Sequence, residues 1–466
     1  MSIADLAFEE LMRIAGRQPP DFVEIKDETP ALRTRFYAGE GAAAVIAAGA
    51  TMAADIWETR TGQSQTVHVG TREASASLGS MIHQTFHNDD LAPASSLSGR
   101  HTFGGFYATR DDRHVFLHQS FPESGQRLLN VLGCDDDPGS VASAVRRWDA
   151  QDLEDAIANA RACAGIVRTP EEWDSSEQGR ILNGLPCVEV VKIADSSPEP
   201  FPKAGDMPLS GIRVLDLTRV LAGPTCARTL AQYGADAMRI GSENLPSVSR
   251  FVTDTGHGKL SAFIDLKTEV GKECLRTLIV QSDVFSQGYR TGALERLGLG
   301  VADLSRLRPG IIYTSINCYG HEGPWRHRAG WEQLAQTVSG MAHIQGGKEG
   351  PQLIPAAVTD YTTGFLAAFG SLVALKRRAL YGGSYLVRVS LSQTGMWLRS
   401  LGLAGDEVLD TAEAFADEEI KSFSITSDTG FGPITHLRPP VHLSATPARW
   451  KRGVVPLGTH QPVWLD

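Results

Sequence analysis

A chain of 466 residues with 42% hydrophobic and 21% charged side chains has ordinary globular composition, room for about three domains, and no sign of wholesale disorder. Asp and Glu (54) outnumber Lys and Arg (44), and the net charge of −10 excludes nucleic acid or an anionic membrane as a partner of the chain as a whole, though not a local basic pocket for an anionic ligand. The six cysteines, Cys134, Cys163, Cys187, Cys226, Cys274 and Cys318, form no CxxC pair or cluster, which argues against a disulfide scaffold and against a zinc site.

In chain order, MSIADLAFEELMRIAG reads as an acidic amphipathic helix without the basic start and apolar core of a signal peptide. No stretch approaches the ~18 uncharged apolar residues of a membrane span, so a cytoplasmic protein is expected. Residues 1–80 hold this helix, a long helix over Gly41–Thr59 and a strand at 66–69 (TVHV). Residues 81–190 read as a small α+β domain, with a strand at 114–118 (HVFLH) and helices at 151–163 and 170–181. Residues 191–208 are a linker, since Asp195–Met207 holds three prolines, Pro198, Pro200 and Pro202, and has no apolar period. Over 209–400 the pattern changes to α/β. Strands at 212–217, 237–241, 261–266, 283–289 and 311–317 alternate with helices ending at Tyr233, over 268–280 and around 291–297. That alternation predicts a doubly wound parallel sheet with ligands at the strand C-terminal ends. Residues 401–466 form a return segment.

Residues 41–70 and 364–391 look like a repeat. Gly62-Gln63-Ser64 falls on Gly382-Gly383-Ser384, and His68 on Arg388, each 320 positions later. On pattern alone, two ordinary Ala-rich helices followed by strands explain this equally well.

The stretch LSGIRVLDLTRVLAGPTCARTLAQYGADAMRI (209–240) resembles the opening of the family III CoA-transferases. This is the formyl-CoA and carnitine CoA-transferase group, with α-methylacyl-CoA racemase as a cousin. The likeness continues through 256–273, 289–340, 356–375 and 437–460. The N-terminal part resembles the second half of the same family, so the chain looks like two fused partial copies. The first lacks its nucleotide-binding half and the second lacks its small domain. The resemblance implies a Rossmann-like large domain completed by the small one, and chains that interlock as a homodimer. It also implies acyl-CoA and a carboxylic acid as substrates, with no metal or organic cofactor.

Such a transferase uses a protein carboxylate to attack the thioester and hold the acyl group as a mixed anhydride, in a site that excludes water. The family motif resembles GPYxxRPGYDLIAQ and its Asp falls on Glu332 in GPWRHRAGWEQLAQ, which makes Glu332 the expected nucleophile. The extra methylene moves the carboxylate by roughly 1.5 Å, and a 1 Å error costs on the order of 100-fold in rate. A Glu in the first turn of a helix is also favoured by the macrodipole alone. The racemase's His falls on Trp331 and its second acid/base residue on Asp360 in VTDYTTG. With one base missing, racemisation is disfavoured. Asp360 is expected to cap a helix beginning near Tyr361, with a polar role beside the substrate as the other reading.

For CoA, the resemblance points to Arg219, Val220, Leu221 and Ala222 in LTRVLAGP, with the following helix offering its N-terminus to phosphate. Lys259, Tyr289, Arg296 and Leu297 match further CoA-contacting positions. The family's phosphate-contacting Arg is Ser242 here, leaving Arg239 on the preceding strand as its substitute, and the ENF motif is Gln287-Gly288-Tyr289. His321-Glu322…His327 lacks HExxH spacing, and no metal is expected. Gly346-Gly347 reads as a surface turn or a flap over the site. The expected function is transfer of CoA between an acyl-CoA and a carboxylic acid. The alternatives are an acyl-CoA isomerase, racemase or lyase, or a non-catalytic CoA-binding protein.

Overall fold

Short apolar runs between helices build the largest sheet, as continuous burial on both faces requires. The computed structural model describes residues 1–88, 90 and 102–465. The strands of this sheet are β1 (Glu189–Ala194), β2 (Arg213–Leu217), β3 (Asp236–Gly241), β4 (Lys259–Phe263), β5 (Val284–Gln287), β6 (Ile312–Asn317) and β7 (Ser384–Ser390). They lie in the order β4-β3-β2-β5-β6-β7-β1. All neighbours are parallel except β1, which runs antiparallel to β7. Leu217 pairs with Gln287, so the loops after β2 and β5 leave the sheet side by side. The chain order reverses there, and such a reversal leaves a crevice for ligands.

Residues 105–108, 114–117 and 164–166 form an antiparallel sheet of three strands. It shares a separate apolar core with helices Pro122–Leu132, Pro138–Val145 and Ala150–Asn159, centred on Leu128, Val141 and Leu153. Two expectations are corrected. The boundary at residue 190 falls inside β1, which runs on to Ala194 because pairing with β7 extends that far. The helix expected around 291–297 is a single 3-10 turn, Glu295–Leu297, bracketed by Gly292 and Gly298 with φ of +83° and +69°. Helix Val358–Tyr381 is long and apolar enough, by length and composition, to cross a membrane, yet its apolar stretch lies wholly inside the fold.

The repeat is visible in three dimensions. Helices Ala38–Thr61 and Val358–Tyr381 both have 24 residues and end at glycines of positive φ, Gly62 and Gly382. Each is followed by a strand and another helix, and the two long helices pack against each other. Strand Val67–Gly70 lies between a parallel neighbour, Val23–Lys26, and an antiparallel one, His442–Leu443. In the same way β7 lies between β6 and β1. The antiparallel neighbour comes each time from the other half of the chain, so the two halves exchange strands.

Candidate active site

The loop after β2 is fixed from below. Asp216, fully buried, accepts the Thr218 N–H (2.9 Å) and the Thr218 hydroxyl, and pairs with Lys259 at 2.7 Å. Lys259 also donates to the Pro224 carbonyl at 2.7 Å. The sequence expectation for Lys259 is therefore corrected: it does not reach the cavity, because its ammonium ties β2 to the first turn of helix Ala222–Gln232. The tight loop this produces puts Val220 at φ +70°. A β-branched residue in that region stores about 1–3 kcal/mol of strain, a feature concentrated at functional sites.

Between this loop, the loop after β5 and Trp331 lies a cavity of about 260 Å³. Arg219, Val220, Ala222 and Tyr289 line it as expected, and so do Arg290, Trp331 and Asp360. Leu221 instead belongs to the main hydrophobic core and does not line the cavity. A larger groove of about 730 Å³ adjoins, with Arg161, Arg290, Arg296 and Arg328 on its walls. Arg296 thus faces the groove, whereas Leu297 packs against the core beneath β2–β5. Arg239 is almost fully buried, and burial pulls its pKa down. Its Nε has no hydrogen-bond partner among the described residues. Together with Arg219 and Phe121 it lines a small recess beside the loop.

The part at 81–190 closes the site within the same chain. His118 and Phe121 lie against the Trp331 ring, at 5.6 and 4.6 Å between centroids. The Arg219 guanidinium sits 5.8 Å over Phe121. The Trp331 indole N–H is buried without a hydrogen-bond partner among the described residues.

Two carboxylates meet here, in different states. Glu332 opens helix Glu332–Val338, and three of its four donors come from the start of helix Val358–Tyr381. It accepts the Thr359 N–H (3.1 Å) and Gln336 Nε2 (2.6 Å) on one oxygen, and the Thr359 hydroxyl (2.6 Å) and Asp360 N–H (2.5 Å) on the other. Burial raises its pKa and these donors pull it back. Glu332 is thus the cap of that helix, whose own N-cap residue, Ala357, has no capping side chain. The cap role expected for Asp360 is corrected accordingly. The helix begins at Val358, and Asp360 is its third residue, its carboxyl in the cavity wall. Among the described residues no side chain donates to that carboxyl, and only the nearby Ala222 backbone acts to lower its pKa. Burial first, and then the Glu332 charge, hold its pKa well above the ordinary range.

His321, Glu322 and His327 go to separate partners. His321 bonds Ser315 Oγ at 2.8 Å, with its pKa lowered to about 3 by burial. Glu322 pairs with Arg388 and His327 with Arg326. Sequence reasoning missed Arg290 and Thr359. Arg290 directly follows Tyr289 and Thr359 directly precedes Asp360, and that adjacency was the available signal.

The sequence profile of CoA-transferase family III matches residues 22–196 and 209–404. The chain belongs to this family. Its two matched stretches flank the proline-rich linker, as expected for two partial copies. The acetyl-coenzyme A transferase nodX of Hypoxylon pulicicidum is 34% identical over 347 residues, 68% of this family III chain and 58% of its own length. The succinyl-CoA:glutarate CoA-transferase of Mus musculus is 36% identical over 180 residues, 36% of the chain and 41% of its own length. A crystal structure of Rv3272 from M. tuberculosis aligns with 42% of the chain and 56% of its own at 32% identity, with a TM-score of 0.40. The chain spans less than two thirds of the length of these curated relatives.

Proposed function

We propose that the chain transfers CoA between an acyl-CoA and a carboxylic acid, with Asp360 as the nucleophile and Glu332 as the residue that positions it. This reverses the roles expected from the sequence. One observation carries it: of two adjacent buried carboxylates, Glu332 is occupied by four donors, and Asp360 alone lines the cavity.

An Asp360 oxygen attacks the thioester carbonyl carbon, the C–S bond breaks, and CoA leaves as the thiolate. The thiolate then attacks the Asp360 carbonyl of the mixed anhydride, freeing the first acid and leaving an Asp360–CoA thioester. The acceptor carboxylate attacks that thioester and gives a second anhydride. Thiolate attack on its acyl carbonyl yields the new acyl-CoA and restores Asp360. These steps consume no cofactor. The stack of His118, Phe121 and Trp331 supports the exclusion of water that an anhydride needs. Arg219, Arg290 and Arg296 suit the phosphates of CoA. Family membership supports the reaction class, and the relatives named above bear the names of CoA transferases.

The finer reading of the fold is a doubly wound, Rossmann-like sheet, supported by the strand order β4-β3-β2-β5-β6-β7. Contacts of residues 118–121 with Trp331 and Arg219 support a site complete within one chain, so the homodimer expected from the sequence is not needed to build it. The test is exchange of an isotope-labelled acid into a panel of acyl-CoAs. Exchange by the parent and none by Asp360→Asn, with CoA binding retained, is the expected result. Undiminished exchange by Asp360→Asn removes Asp360 from the mechanism.

A further inference from the structure

We propose that the chain carries a second, collapsed copy of this centre around Glu40, so that one chain binds one CoA, at the Asp360 site alone. The inference rests on the reading of Asp360 given above.

The repeat sets the register. Glu40 lies 320 positions before Asp360, and each is the third residue of its 24-residue helix. Each lines a cavity. Thr71 and Leu391, again 320 positions apart, are the first residues after the paired strands, and each lines the corresponding cavity. Two matched positions in two matched cavities identify the Glu40 recess as the twin of the Asp360 site.

The twin lacks what the chemistry needs. Its volume is about 40 Å³, room for no more than a few waters at about 10–15 Å³ each, whereas the Asp360 cavity measures about 260 Å³. The Asp360 cavity is walled by the loops after β2 and β5. The Glu40 recess is instead closed by residues 28–32 and by Ala404 and Val408. These covers are tied down. Glu28 N–H donates to Thr71 Oγ1 (3.0 Å), Arg33 to the Leu409 carbonyl (2.7 Å), and Arg35 to Asp406 (2.8 Å). The counterpart of Thr359 is Gly39, where a Cβ would overlap Ser75 Oγ. Burial raises the pKa of Glu40 as it does that of Asp360, so the two sites differ in space and walls rather than in the state of the acid.

The experiment counts CoA bound per full-length chain, by native mass spectrometry and by equilibrium dialysis with labelled CoA, alongside exchange activity. The expected result is one CoA per chain. Glu40→Gln should leave both that number and the exchange rate within twofold of the parent. Two CoA per chain would overturn the inference while leaving Asp360 in place. So would a tenfold or greater loss of exchange in Glu40→Gln with its melting temperature unchanged. The count on the parent stands even if the variant misfolds. No bound CoA at saturating concentrations would sink the reading of the Asp360 site and this inference with it.

Discussion

Helices Ala38–Thr61 and Val358–Tyr381 match in length, ending and neighbours, and differ in what their first turns carry. Around Glu40 the first has Gly39, Ala42 and Ala43, all buried. Around Asp360 the second buries Thr359, Thr362 and Thr363 at the matching positions. Burying polar groups is unfavourable unless they are bonded, and two of these threonines are bonded: Thr359 to Glu332 and Thr363 to Thr394, each at 2.6 Å. The first helix keeps an acid, Glu40, but has glycine and alanine where the second has threonines. The second keeps those buried hydroxyls at a cost in core stability. The scaffold therefore does not make the centre. The capping carboxylate and the loop after β2, both opposite the first turn, make it.

The comparison breaks most decisively at Asp360. Asp360→Asn should lower the exchange rate by at least about 10³-fold with CoA affinity retained, measured by isotope exchange and calorimetry. An equal loss in Glu40→Gln would erase the distinction between the two helices. Lys259→Met should lower stability by roughly 3–5 kcal/mol, because it leaves Asp216 charged, buried and unpaired. Denaturant unfolding measures this, and a fully stable variant with a raised KM for acyl-CoA would make Lys259 a ligand contact after all.

Glu332→Gln sharpens the comparison by removing the cap charge while keeping the shape. About 1–3 kcal/mol of stability should go, since one oxygen with two donors becomes an amide. The pH profile should move too. Asp360 must be ionised to attack, and burial and the Glu332 charge both raise its pKa. Exchange in the parent should therefore rise with pH along an acid limb above the ordinary carboxylate range. Without the Glu332 charge that limb should shift to lower pH, and an unmoved limb would uncouple the two residues. The smallest effect is expected from Arg219→Ala. KM for acyl-CoA should rise about tenfold, as for loss of one charge-assisted contact, with kcat little changed.

Much of this was legible in the sequence, for reasons that differ by element. The α/β run over 209–400 is written in local apolar patterns, and the loop after β2 is one contiguous motif, so both were readable. The repeat was readable as helix, glycine and strand at a fixed spacing. The roles of Glu332 and Asp360 were not. Their difference depends on which carboxylate faces the donors at 336, 359 and 360 and which faces the cavity, and residue type and spacing do not carry that information. Lys259 was misassigned for the same reason, since its partner Asp216 lies on a different strand. The helix expected around 291–297 failed because its two flanking glycines, Gly292 and Gly298, take left-handed turns.

The central claim, that the free carboxylate acts and the capped one holds, is tested most directly by trapping the covalent intermediate. The full-length chain is incubated with acyl-CoA and hydroxylamine, and the resulting protein hydroxamate is located by peptide mass spectrometry. The account predicts modification at Asp360 and none at Glu332 or Glu40. A hydroxamate on Glu332 with Asp360 untouched would contradict it.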